Sequence, residues 1–473
     1  MNPQSRRRLH GTRPRFLRWS APSDGQIPSR RGIRQPRAAQ VTPRSCSSAR
    51  VQLPRGAKRN QLHGAQTANP PPTSKKRPRA VPSGRTHDPS TTSCCTRDWA
   101  NLGGDGPTGL IAELVLAGDV ADYVRFRAVC RVWRRCSPEP HSSRGGALDS
   151  RFFPRQWIML DKAFPDTRRH RFLNVTTGEC IWMDLPELDD QQHTLLAVTP
   201  EGLLLLLHEP TLVVRLLNPL LRQLIDLPPV TSLLPPELRG DDCEIGDDLG
   251  LYGVGVTGDS TVAVCFSFPT VLAVAKPGDY HWTVVCRKYL DSTLPFAGHF
   301  YCCVSGGIMV LNTSGSDQPP RLLIALDWST TFCFYQMAGT LHLVDNAGEL
   351  MLVHRTLHQH PENDGMMKYN VYRVDLDAKV LIPANDFGGH SVFMGQRRTI
   401  SVTAESFPSV TADTLYLGFD CEEKKGMNQI DGYNLTDGSS EPSHYDSDND
   451  GEAPYSIINC LAHCIQGVGD ELE

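Results

Sequence analysis

The stretch that decides the fold is residues 195–219, with the sequence LLAVTPEGLLLLLHEPTLVVRLLNP. It contains the apolar run Leu195–Val198, then Pro200-Glu201-Gly202, then a second apolar run, Leu203–Leu207. Short apolar runs bounded by Pro and Gly are typical of paired β-strands. His208-Glu209-Pro210 and Arg215 interrupt the apolar residues, so a membrane-spanning helix is not expected. The stretch therefore predicts a β-hairpin in an all-β domain.

The same unit recurs along the chain. Its later copies are Tyr252–Val256 with Thr261–Phe266, Tyr301–Val304 with Ile308–Leu311, Thr340–Val344 with Glu349–Val353, and Val392–Met394 with Thr399–Val402. One glycine marks the turn of each unit: Gly202, Gly258, Gly307, Gly348 and Gly395, with spacings of 56, 49, 41 and 47 residues. These spacings bracket the period of about 40 to 50 residues that propeller blades show. We predict a mainly β, β-propeller-like domain over residues 148–418.

A small helical module is expected before the propeller, at residues 98–138. Pro107 suits the first turn of a helix, and Leu110, Ile111 and Leu114 follow at helical spacing. Asp119 is placed to cap a second helix, and a third contains Trp133. Three short helices bury too little surface to be stable alone. We therefore expect their apolar positions to contact a partner.

The charge of the chain is divided between two regions. Residues 1–97 contain 21 Lys or Arg and only two acidic residues, whereas the remaining 376 contain 27 Lys or Arg and 50 Asp or Glu. Residues 1–97 also lack apolar periodicity, which predicts a disordered basic tail. The run Lys75-Lys76-Arg77-Pro78-Arg79 has the composition of a nuclear import signal, although a solvated basic tail explains it equally well. Residues 419–473 are expected to be an acidic tail with a short C-terminal docking helix.

Cysteine usage indicates an intracellular protein. The 15 cysteines are an odd number, mostly inside apolar runs, and no apolar signal-peptide-like run precedes them. We expect reduced, buried thiols and a location in the nucleus, the cytoplasm or both.

Residues 98–134 resemble a plant F-box. The resemblance is carried by Asp98–Leu102, by Gly106–Glu113, and above all by Val129-Cys130-Arg131-Val132-Trp133-Arg134. Gly106-Pro107 stands where the family has Leu-Pro. Gly103, Gly104 and Gly109 lie close by, and glycine costs about 1 kcal/mol in a helix interior. Adaptor binding weaker than in a typical member is therefore expected.

The later part of the chain resembles the plant domain-of-unknown-function 295 family. The similar segments are Val213–Leu220 followed by Leu227-Pro228-Pro229, Tyr372–Leu376, Phe387–Gly395 and Asp413–Gly418. Together the resemblance covers residues 98–418 and implies an F-box joined to a propeller of the KIB type.

The resemblance implies a substrate-receptor subunit of a Skp–cullin–F-box ubiquitin ligase. Its F-box would bind a Skp-type adaptor and, through it, a cullin, while the propeller would recruit an unknown protein substrate. The adaptor-binding residues that it implies are Pro107, Leu110, Ile111, Leu114, Val120, Val129, Cys130 and Trp133. The polar insertions Ser232–Asp248 and His354–Lys368 are candidate substrate-binding segments.

No catalytic, cofactor or metal site is expected. The sequence lacks a Gly-x-Ser-x-Gly elbow, a phosphate-binding loop and a His-Glu-x-x-His pair. Asp446–Gly451 matches half of a calcium loop, but Ile457 occupies the position that needs a bidentate Glu. Cys460 and Cys464 lack the second cluster of a structural zinc site, and Ile457, Ile458, Leu461 and Ile465 instead share one helical face.

Two alternative functions remain open. The first is a propeller scaffold whose glycine-rich F-box no longer recruits a ligase. The second is a nuclear regulator that binds nucleic acid through the basic residues 1–95. The acidic body of the chain disfavours nucleic-acid binding by the propeller itself.

Overall fold

The structure is a computed structural model, and its described residues lie within a compact unit at residues 91–473. The described residues are 107–140, 148–160, 169–189, 192–234, 249–267, 269–313, 318–329, 332, 334, 340–360, 363–395, 398–421, 430–442 and 457–465. The expected disordered tail, the import signal and the calcium half-loop lie outside them. No described helix is long and apolar enough to span a membrane.

Five α-helices are formed within the described residues. They are α1 Pro107–Gly118, α2 Val120–Val129, α3 Arg131–Cys136, α4 Pro186–Asp189 and α5 Ile457–Ile465. Asp119 caps α2 as expected, because its carboxylate accepts from the Ala121 backbone N–H at 2.8 Å. Two 3-10 turns, Ser150–Phe152 and Val230–Ser232, accompany the strands.

Most of the regular secondary structure in the described chain is β-structure, arranged in six sheets. The first three sheets contain β1 Trp157–Met159, β2 Arg169–Asn174 and β3 Cys180–Asp184; β4 His193–Val198, β5 Leu204–His208, β6 Val213–Asn218 and β7 Gln223–Pro229; and β8 Leu251–Val256, β9 Val262–Phe266, β10 Val271–Ala275 and β11 Thr283–Cys286. Each pairs its strands antiparallel in chain order.

The other three sheets complete the ring. They contain β12 Ser292–Phe296, β13 His299–Val304, β14 Gly307–Asn312 and β15 Arg321–Asp327; β16 Leu341–Asn346, β17 Glu349–His360, β18 Asn363–Asp375 and β19 Val380–Ala384; and β20 His390–Met394, β21 Thr399–Thr403, β22 Thr414–Leu417, β23 Ile430–Asn434 and β24 Ser440–Pro442. The strands β4, β8, β12, β16 and β21 lie side by side as the innermost strands. The fold is therefore a six-bladed β-propeller, which confirms the predicted class.

The sixth sheet differs from the others in strand order. Its order is β21-β20-β22-β23-β24, and β20 pairs with β22 in parallel. The expected boundary at Gly418 falls inside this sheet, because β23 and β24 follow it. Tyr433 of β23 is buried, with its ring 5.2 Å from that of Tyr369 in the fifth sheet. This packing makes residues 430–442 part of the propeller and not of an acidic tail.

Helix α5 packs at the junction of the first and sixth sheets. Its Leu461 and Ile465 are fully buried with Ile158 and Leu173 of the first sheet and Phe393 of the sixth. Sequence reasoning placed a docking helix here, and the structure shows that it covers the seam where the ring closes. A Cβ at Gly395 would lie 2.8 Å from the Ile465 carbonyl oxygen, so glycine is needed for this close approach.

The structure describes most of one of the two polar insertions and only a small part of the other. Residues 235–248, most of the Ser232–Asp248 insertion, lie outside the described residues. The His354–Lys368 insertion is not a loop: it belongs to the hairpin of β17 and β18, which stay paired out to His360 and Asn363. Its polar residues concealed the strand pattern, because polarity alone does not distinguish a hairpin from a loop.

Candidate functional site

An exposed apolar surface runs along α1. Successive members of this surface lie three, one and three positions apart along α1, which places them on one face of the helix. They are Pro107, Leu110, Ile111 and Leu114. Leu110 is 69% exposed, Ile111 38% and Leu114 74%. We call these four residues the α1 stripe. Since Ala112 and Leu116 already anchor the opposite face, the stripe is available for another molecule.

The eight residues that the resemblance assigned to adaptor binding fall into an exposed group and a group that packs inside the module. Pro107, Leu110, Ile111 and Leu114 form the stripe, and Val129 is 62% exposed at the end of α2. Val120 is buried in the core of the module. It is therefore not part of the exposed surface that an adaptor could contact.

Cys130 and Trp133 also have structural roles inside the module. The Cys130 Sγ accepts from the Trp133 backbone N–H at 3.5 Å, which caps α3. The Trp133 ring stacks on Phe126 with centroids 4.5 Å apart. Sequence alone could not separate these residues from the surface residues, because both groups are apolar and both lie in the same small helical module.

Asp119 connects the helical module to the first sheet of the propeller. Beyond capping α2, its Oδ1 accepts from Trp157 Nε1 at 2.9 Å and its Oδ2 accepts from Asn174 Nδ2 at 3.0 Å. Trp157 and Asn174 are register partners on β1 and β2. The carboxylate therefore binds donors from both sides of the junction. Sequence reasoning found the cap but missed the connection, because its partners lie 38 and 55 residues away.

Further contacts fix the module on the first two sheets. Arg125 of α2 forms an ion pair with Glu179 in the turn between β2 and β3. Phe152 packs among the helices while its carbonyl accepts from Asn218 Nδ2 at 2.9 Å. Hydrogen bonding to Glu179 and Asp122 raises the pKa of Arg125. The module is thus positioned by the propeller through polar and apolar contacts together.

Several acidic side chains inside the propeller are buried away from water. Burial raises the pKa of the Glu201 carboxyl, although Val256 N–H donates to its Oε1 at 3.0 Å. Burial likewise raises the pKa of the Cys265, Cys302 and Cys303 thiols. Protonated thiols are weak nucleophiles. These groups therefore have the character of core residues.

The fold and the exposed stripe define a class of protein: a β-propeller of the kind used for protein interaction, with a helical module attached to one side. Within the described residues, no group of three or more His, Cys, Asp or Glu is placed to hold a metal ion. None of the ten cysteines that the structure describes belongs to a disulfide.

Comparison with known families agrees with this class and refines it. The model of the KIB1-4 beta-propeller matches residues 172–434. The chain belongs to this family. A comparison with curated proteins gave no match. The matched range extends beyond Gly418 to the end of β23. It therefore agrees with the structure, in which the propeller also continues past Gly418.

Proposed function

We propose that the protein is the substrate-receptor subunit of a Skp–cullin–F-box ubiquitin ligase. The observation that carries the proposal is the α1 stripe, an apolar helix face that remains exposed on a module already packed against the propeller. Clusters of exposed apolar side chains on a positioned element mark protein-interaction sites. A Skp-type adaptor fits this surface, since the F-box resemblance assigns the same four residues to it.

In this proposal the propeller recruits the protein target. The subunit itself is non-catalytic, uses no cofactor and acts in the nucleus, the cytoplasm or both. Ubiquitin transfer is performed by a separate enzyme, and the receptor accelerates it by holding the target close. The contacts of Asp119 and Arg125 support this role, because a positioned module keeps a defined distance between adaptor and target.

Co-purification with a Skp-type adaptor tests the proposal. The full chain is expressed with the adaptor beside the double variant Leu110→Asp, Leu114→Asp, which places two charges on the stripe. The matched control is Leu224→Asp, Ile324→Asp, since both residues are exposed apolar positions on the propeller. We expect the adaptor to co-purify with the parent and the control but not with the stripe variant.

Two results would count against the proposal. If the folded parent never binds the adaptor, the protein is a propeller scaffold without ligase recruitment. If the stripe variant binds as well as the parent, the adaptor does not use α1. Unfolding curves of all three proteins show whether a loss of binding reflects loss of fold.

A further inference from the structure

A cavity lies in the central channel of the propeller. Its volume is about 280 Å³, near the lower end of the range of small-molecule pockets, which begins at about 300 Å³. Five of the six sheets contribute to its wall through their strands nearest the axis: Met159, Leu195, Leu251, Leu294 and Thr399. The cavity therefore belongs to the ring as a whole and not to a single blade.

The wall is mostly apolar but contains a permanent positive charge. Among the described residues that line the cavity, Arg398 is the only Lys or Arg, and none is Asp or Glu. Thr293 and Thr399 add hydroxyl groups, and His170 and His193 add imidazoles. The composition matches a ligand with an apolar body and one negative group.

The guanidinium of Arg398 is poorly neutralised by the protein. Its Nη1 lies 3.8 Å from Cys464 Sγ, and its Nε is buried without a hydrogen-bond partner. Within the described part of the chain, no carboxylate forms an ion pair with it. The Arg398 side chain as a whole is partly buried, and an arginine in an apolar cavity gains from an anionic partner. A bound anion would supply the partner, and the planar guanidinium suits a carboxylate especially well.

We propose that this cavity binds a small amphipathic carboxylate. Its apolar chain packs against the leucines of the inner strands, and its carboxylate pairs with Arg398. The site is separate from the α1 stripe, so this proposal stands or falls independently of adaptor binding.

A series of ligands with one chain and three head groups tests the proposal on the unaltered protein. Octanoate, 1-octanol and octylammonium are titrated into the full chain by isothermal calorimetry. A charge-assisted hydrogen bond corresponds to about a ten- to hundredfold gain in affinity. We expect octanoate to bind about tenfold or more tightly than 1-octanol and octylammonium to bind most weakly. Equal affinities, or no binding of octanoate, would overturn the proposal.

Variants assign the binding to this cavity. Arg398→Met should remove the preference for octanoate over 1-octanol, while Arg373→Met, which removes an exposed arginine on β18, should leave it unchanged. Ala197→Phe narrows the cavity and should weaken both octanoate and 1-octanol. Undiminished octanoate binding by folded Arg398→Met protein would contradict the assignment. If that variant does not fold, the ligand series and Ala197→Phe still decide the question.

Discussion

At the scale of single residues, Asp119 performs more than one task with one carboxylate. It caps α2 and accepts hydrogen bonds from two side chains of the first sheet. Removing it would leave the Trp157 and Asn174 donors without this acceptor. Substitution of Asp119 should therefore lower the stability of the fold more than its partial exposure suggests.

We predict that Asp119→Ala lowers the free energy of unfolding by about 2–4 kcal/mol, since a lost cap costs about 0.5–2 and an unsatisfied buried donor about 1–3 kcal/mol. Chemical denaturation measures the change. The control is Asp122→Ala, which removes only an exposed ion pair with Arg125 and should cost less than about 1 kcal/mol. Equal effects of the two substitutions would show that Asp119 does not join module and propeller.

Glu201 gives the propeller a pH dependence. Burial raises the pKa of this carboxyl above its ordinary value of 4.5 in the folded protein. Protonated Glu201 therefore stabilises the folded protein fully below pH 4.5. This stabilisation is lost as the pH rises through the folded-state pKa. A neutral side chain with the same acceptor should not show this loss.

We predict that Glu201→Gln gains stability relative to the parent as the pH rises above 4.5, the ordinary pKa of this carboxyl. The amide oxygen can still accept from Val256 N–H, while no charge has to be buried. Thermal unfolding across this range measures the difference, with the exposed Glu349→Gln as the control. A difference that stays constant with pH would refute the raised pKa of Glu201.

At the scale of elements, α5 completes the closure of the ring. It packs on both the first and the sixth sheet, and the thiol of Cys464 donates to the Met159 carbonyl oxygen at 3.2 Å. The helix therefore bridges the first and the sixth sheets of the propeller.

We predict that Leu461→Ala lowers the free energy of unfolding by about 2–5 kcal/mol, as expected for truncating a fully buried leucine. The matched control, Leu224→Ala, truncates a partly exposed leucine of β7 and should change stability by about 0.5 kcal/mol or less. Denaturant unfolding followed by tryptophan fluorescence compares the two. A negligible effect of Leu461→Ala would mean that α5 is dispensable for closure.

Sequence reasoning succeeded for elements whose evidence is local. The five hairpins were predictable because each combines two apolar runs with a short turn, and the spacing of their glycines indicated blades. The parallel pairing of β20 with β22 was not predictable, since periodicity identifies strands but not their distant partners. The same limit explains why β23 and β24 were assigned to a tail.

At the scale of the whole molecule, the protein combines a six-bladed propeller with a helical module positioned beside its first two sheets. The exposed stripe belongs to the module, whereas the cavity belongs to the channel. In the sequence the stripe could be predicted, because it follows helical spacing. The cavity could not, because its wall is assembled from five separate sheets.

Hydrogen exchange of the full chain with and without a Skp-type adaptor tests the central claim most directly. We expect adaptor binding to slow exchange within Pro107–Gly118 and to leave β8 to β15 unchanged, because the stripe lies on α1 and those strands form distant blades. Unchanged exchange in α1 at saturating adaptor, or protection confined to the propeller strands, would contradict the assignment of α1 as the adaptor surface.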